Sequence, residues 1–126
     1  MENREKGYVI VSARGALGAI PLEGVAIDFY KDGIKVASSV TSEKGFSEKI
    51  SIDTPPRENS LTPSAPLPYT LIDIRASKEG YYSAIYRNAA IFSGVTSVQP
   101  IDMIPLPIGN TGSDIIEYDE GGMQDL

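Results

Sequence analysis

A chain of 126 residues, 41% of them hydrophobic, is long enough for one domain with its own core. It contains no Cys, which excludes disulfides, thiolate metal sites and thiol nucleophiles, and no His, which removes the commonest general base and the commonest zinc ligand together. The net charge of −6 is concentrated at one end: residues 1–107 carry 11 basic and 12 acidic side chains, whereas residues 108–126 carry five acidic ones and no Lys or Arg.

A nearly neutral body has no electrostatic footprint for nucleic acid or anionic lipid, so neither is an expected partner. Met1-Glu-Asn-Arg-Glu-Lys6 is charged and lacks the apolar region of a signal peptide, and no stretch is long and apolar enough to insert into a membrane. The expectation is synthesis in the cytoplasm, with any passage to the cell exterior reached without a classical signal.

Tyr8-Val-Ile-Val-Ser-Ala13 is a β-branched run ended by Arg14-Gly-Ala-Leu-Gly18, a strand and then a turn. After Pro21-Leu-Glu-Gly24, Val25, Ile27 and Phe29 alternate with Ala26, Asp28 and Tyr30, the period of a half-buried strand. Asp32-Gly33 signals a hairpin into Ile34–Val40. Thr41-Ser-Glu-Lys-Gly45 turns into a strand over Phe46–Ile52, with Phe46, Glu48, Ile50 and Ile52 on one side. Thr54–Pro68 carries five prolines and no periodicity, and reads as a long, stiffened surface loop.

Ile72 and Ile74 then point inward from Tyr69–Ala76, and Lys78-Glu-Gly80 turns into Tyr81–Tyr86. After Arg87-Asn88 come Ala89–Phe92, the turn Ser93-Gly94 and a last strand, Val95–Ile104, in which Pro100 argues for a sheet edge or a bulge. About seven strands at turn spacings of roughly 8–12 residues, with no helical period, predict an all-β, seven-stranded antiparallel sandwich. The sandwich is expected over residues 1–107. Residues 108–126 form an acidic C-terminal tail, loose or weakly docked, with Ile115, Ile116 and Tyr118 as a small apolar grip.

Three segments carry a resemblance: Ile20-Pro-Leu-Glu-Gly-Val-Ala-Ile27, Thr41-Ser-Glu-Lys-Gly-Phe46, and Tyr69-Thr-Leu-Ile-Asp-Ile with Lys78-Glu-Gly-Tyr-Tyr82. In this order they resemble the carboxypeptidase regulatory-like domain, over roughly Gly7 to Pro107. That resemblance implies a prealbumin-like (transthyretin-like) Greek-key sandwich. Thr54-Pro-Pro56, Ile91–Pro100 and Met103–Pro107 are similar to a narrower subset at the front of clostridial spore-cortex and peptidoglycan-binding proteins. This likeness implies association with the bacterial cell wall or spore peptidoglycan. The downstream peptidoglycan-binding repeat of that subset is absent from this sequence.

Candidate contact residues are of two kinds. Tyr69, Tyr82 and Tyr86, with Tyr81 on the opposite face, can offer ring faces to a sugar or pack as a corner of the sandwich. Pro55, Pro56, Pro63 and Pro66 stiffen a loop that either recognises a partner or simply crosses between sheets. Asp114, Glu117, Asp119 and Glu120 lack the spacing of a calcium loop, and Asp28, Asp73, Glu79 and Asp102 show no converging pair for glycoside hydrolysis. No nucleophile elbow, phosphate loop or dinucleotide fingerprint is present.

No catalytic residue, cofactor or metal is therefore expected. The leading reading is a non-catalytic binding or accessory module for a protein partner or peptidoglycan glycan, able to homo-oligomerise through strand edges. The alternative is a structural subunit of a larger assembly, such as a phage tail, contractile device or spore surface layer. A small hydrolase is the least favoured.

Overall fold

The computed structural model describes residues 5–55, 69–107 and 115–119. Nine strands occupy them: β1 (Glu5–Gly15), β2 (Ile20–Pro21), β3 (Ala26–Lys31), β4 (Ile34–Val40), β5 (Ile50–Thr54), β6 (Tyr69–Ser77), β7 (Ser83–Phe92), β8 (Thr96–Asp102) and β9 (Ile115–Asp119). No helix occurs among the described residues. As the period-two patterning predicts, the strands form two sheets. In the first, β1 is central: β8 runs parallel along one side, while β5 and β2 pair antiparallel with successive stretches of the other. The second has the order β4-β3-β6-β7-β9, antiparallel except for the β7–β9 pair.

The two sheets face each other across one core. Val9, Val11, Ala13, Ile52 and Ile101 come from the first, and Ile27, Phe29, Ile72, Ile74, Ala84, Tyr86 and Ile91 from the second. Each fully buried Ile or Phe contributes about 1.5–3 kcal/mol of transfer free energy, so the alternating apolar residues dominate the favourable side of folding. Tyr86 reaches across the core, and its hydroxyl accepts the Asp102 amide of β8 at 3.3 Å. The layers also touch at backbone level, since a Cβ on Gly7 of β1 would lie 2.4 Å from the Phe92 carbonyl oxygen of β7.

The hairpin signal holds in detail. Asp32 and Gly33 both have positive φ (53° and 79°) between paired Lys31 and Ile34, which matches the twist of the flanking strands. Pro100 lies on β8, whose described partner is β1, so it sits at the sheet edge where a missing donor costs least.

The strand predicted over Phe46–Ile52 begins only at Ile50. Phe46 makes an isolated bridge to Ser12 and is 40% exposed. The reason is Ser47: its hydroxyl, rather than a backbone carbonyl, accepts the Val11 amide at 2.9 Å, so the ladder is interrupted there.

The two runs predicted as Tyr81–Tyr86 and Ala89–Phe92 merge into one continuous strand, β7, which starts only at Ser83. Its buried positions change phase midway, from Ala84 and Tyr86 to Ala89 and Ile91. A bulge causes this: Ile72 pairs with Ala89 but Ile74 pairs with Tyr86, leaving one extra residue on β7. Asn88 takes up the bend with φ of 61°, a conformation Asn tolerates better than most residues. The Asp73 carboxylate holds the bulge, with Oδ1 accepting the Asn88 amide at 3.0 Å and Oδ2 accepting the Arg87 guanidinium at 3.3 Å.

Within the stretch expected to be loose or weakly docked, Ile115–Asp119 form the fifth strand of the second sheet, and the rest of it lies outside the described residues. Tyr118 stacks on Tyr86 with ring centroids 4.5 Å apart and planes inclined by 20°. Glu117 Oε1 accepts Arg87 Nη2 at 3.0 Å, and Asp119 Oδ1 accepts Asn88 Nδ2 at 3.1 Å. The hydrogen bond and charge of Arg87 hold the Glu117 carboxyl below its ordinary value of 4.5. In return, Glu117 raises the Arg87 value, so the guanidinium stays charged throughout.

Three outcomes follow from these contacts. Gly45 has φ of +85°, and a Cβ there would lie 2.7 Å from the Ala13 carbonyl oxygen, whereas Gly33 has φ of +79° and open space around it. Gly45→Ala should therefore cost roughly 2–4 kcal/mol and Gly33→Ala about 1 kcal/mol, read from urea midpoints. Equal losses at the two positions would contradict the close approach. Asp73→Ala strips the bulge of its acceptor and should destabilise by roughly 1.5–3 kcal/mol, with Asp73→Asn milder because one acceptor oxygen remains.

Docking of β9 should depend on pH. A carboxyl whose value is lower when docked stabilises the docked strand fully above its ordinary value of 4.5, and loses that contribution as pH falls through the lowered value. The charged groups around Arg87 are Glu117, Asp73 and Asp119. Hydrogen-exchange protection of the β9 amides should thus fall on acidification, and should fall less in Glu117→Gln.

Candidate functional site

Along β6 and β7, Thr70, Ile72, Ala89 and Ile91 are buried, so the alternating residues face outward. The register places Tyr69 opposite Phe92 and Leu71 opposite Ala90 on that outer surface. The rings of Tyr69 and Phe92 lie 5.6 Å apart at 48°. Tyr69 is 48% exposed and Leu71 43%. The result is an aromatic and aliphatic patch at one end of the second sheet, held on two rigid strands.

This patch lies where both ends of the proline-rich segment emerge. The Thr70 hydroxyl donates to the Asp53 carbonyl at 2.8 Å, tying the start of β6 to the end of β5, and exposed Pro55 follows β5 directly. Pro56, Pro63 and Pro66 lie outside the described residues.

Toward the middle of the same sheet face the surface becomes charged. Lys35 pairs with Asp28 at 3.7 Å, and Arg87 bridges Asp73 and Glu117. Asp28 and Asp73, weighed from sequence as possible catalytic carboxylates, are each engaged by a basic side chain. Glu117 and Asp119, weighed as calcium ligands, bind Arg87 and Asn88 of β7. Among the described residues no group of three or more acidic side chains is placed to hold a metal.

The tyrosines named from sequence do not form one platform. Only Tyr69 is in the patch. Tyr86 is 7% exposed, packed in the core and stacked against Tyr118, so with β9 docked its ring is no part of the exposed surface. Tyr82 is half-buried, its amide donating to the Ile104 carbonyl at 2.8 Å. It precedes the start of β7, whereas Phe92 ends it, which places the two about 30 Å apart along the strand. Alternation counted back from Tyr86 is blind to this separation, because it reports which face a residue takes and not where along the sheet it sits.

Two features escape the sequence reading. Phe92 belongs to the patch only because the bulge rephases β7. Counted from Tyr86 without the bulge, Phe92 would point inward. The second is a shallow cavity of about 440 Å³ at the opposite end, lined by Gly24, Ala26, Lys78, Glu79, Tyr81 and Leu106 among others. Leu106 reaches it because its amide donates to the Gly80 carbonyl at 2.9 Å. The Pro-Leu-Pro segment at 105–107 was the sequence signal available for that excursion.

No family model matches the chain, and no curated protein does. Solved structures do. The TIE protein of Bacillus anthracis matches with a TM-score of 0.55 at 16% identity, covering 81% of this chain and 17% of that one. GBS52, the minor pilin of Streptococcus agalactiae, matches with a TM-score of 0.55 at 16% identity, covering 88% of this chain and 49% of the other. Catechol 1,2-dioxygenase from Acinetobacter sp. ADP1 matches with a TM-score of 0.57 at 13% identity, covering 93% and 59%. The chain spans less than two thirds of each of these proteins. At such identities the likeness is one of fold: this chain is a β-sandwich of the kind found in pilin and TIE domains.

Proposed function

We propose that the chain is a non-catalytic β-sandwich module that binds or scaffolds through the Tyr69–Leu71–Phe92 surface. The observation that carries the reading is an aromatic pair, exposed Tyr69 against half-buried Phe92, held by two core strands where a proline-rich segment joins the sheet. Aromatic faces bury large area at little rotamer cost, and a Tyr adds a polar tip, so such a pair suits a partner with both apolar and hydroxyl surface. Peptidoglycan glycan is such a partner, since the axial C–H groups of a pyranose stack on a ring while its hydroxyls stay wet.

The wall-binding version draws its support from the likeness of Thr54-Pro-Pro56, Ile91–Pro100 and Met103–Pro107 to domains of clostridial spore-cortex and peptidoglycan-binding proteins, and the prealbumin-like assignment from Ile20–Ile27, Thr41–Phe46, Tyr69–Ile74 and Lys78–Tyr82. A second reading, a structural subunit of a larger assembly, is favoured by the edge strands β4, β8 and β9, any of which can accept a neighbour. The fold likeness to a minor pilin is compatible with both.

Retention on purified peptidoglycan separates the two. Under the wall-binding reading, Tyr69→Ala and Leu71→Ala should each weaken retention about tenfold, equivalent to roughly 1.4 kcal/mol, with the β-sheet circular dichroism unchanged. Retention of the unaltered chain no better than that of serum albumin would reject glycan as the partner and leave the assembly reading.

A further inference from the structure

The contacts that hold β9 do not require it to belong to the same chain. β9 lies parallel to β7 at the edge of the second sheet, with Ser83 opposite Ile115 and Tyr86 opposite Tyr118. Recognition along this edge has three parts: the backbone ladder, the Tyr86–Tyr118 stack, and the charge match of Arg87 and Asn88 with Glu117 and Asp119. Together they define a strand-acceptor groove with a stated ligand, an apolar–acidic–aromatic–acidic segment. Residues 108–114, which join β9 to the body, include Gly109 and Gly112.

We propose that the β7 edge accepts Ile115–Asp119 of a second copy, so that two copies exchange β9 reciprocally. The second copy is the favoured occupant because it carries the complementary charge and the stacking ring in the required register. Every contact of the docked strand is reproduced across the pair, so exchange changes connectivity and not contact energy. Reciprocal exchange is favoured over an open chain, which would leave one β7 edge uncovered and one β9 without a partner at its ends. The balance between the closed monomer and the exchanged pair is then set by concentration. Only seven residues, 108–114, separate the body from β9, which keeps the chain's own strand at an effective concentration on the order of mM, so exchange is a state of crowded or surface-assembled protein.

The proposal is independent of the Tyr69 surface. Because the 126-residue sequence contains no Cys, single cysteines report the pairing directly. Ser83→Cys and Ile115→Cys occupy partner positions in register. Neighbouring strands lie about 4.8 Å apart, within reach of a disulfide. The two variants are mixed at high concentration, oxidised and run without reductant. The expected result is a cross-linked heterodimer several-fold more abundant than the dimers formed by either variant alone, and suppressed by excess unaltered chain.

Ala84→Cys mixed with Ile116→Cys, the next pair in register, repeats the test should the first pair perturb the strand. Dimer yields in both mixtures no higher than in the single variants would overturn the exchange. Tyr69→Ala should leave the cross-link unchanged, so failure of glycan retention and failure of exchange are read separately.

Discussion

A single carboxylate sets the phase of the second sheet. Asp73 of β6 accepts both the Asn88 amide and the Arg87 guanidinium, and so stabilises one extra residue in β7. That residue lets Tyr86 and Ile91, an odd number of positions apart, both reach the core. A strand of strict period two would bury one of them and expose the other. The energy at stake is therefore larger than the hydrogen bonds themselves, since a lost bulge would turn an Ile out of the core at about 1.5–3 kcal/mol.

The surface features of this sheet follow from the same bulge. It turns Phe92 outward to meet Tyr69, which creates the aromatic patch. It also brings Arg87 and Asn88 to the edge, where they engage Glu117 and Asp119 of β9. The aromatic patch and the β9-bearing edge thus share a structural origin although they lie apart. The patch sits at the proline-rich end of β6 and β7, and β9 along the outer edge of β7.

The exposed edges are managed unequally. β4 carries a bulge at Val36, opposite Phe29 and Tyr30 of β3, and an outward Lys35, and β8 carries Pro100, all features that discourage unwanted pairing. The β7 edge carries the Arg87–Asn88 bulge, and there the charge is used to hold a strand: Arg87 and Asn88 pair with Glu117 and Asp119 of β9, which covers the edge.

Much of this was legible in the residues. Alternation in Val25–Phe29 and Leu71–Ala76, the Asp32-Gly33 turn and Pro100 at an edge all follow from local sterics and the apolar pattern, which act between near neighbours and leave a period in the chain. Absence of His and Cys narrowed the chemistry for the same reason. The break at Ser47 and the continuity of β7 were not legible, because each depends on a side chain hydrogen-bonding a backbone far away in sequence. The grouping of Tyr69 with Phe92, rather than with Tyr82 and Tyr86, the parallel pairing of β1 with β8, and the docking of β9 on β7 were decided only in three dimensions. A period shows which face a residue takes, but the partner it meets is chosen by how distant strands pack, and long-range pairing leaves no period to read.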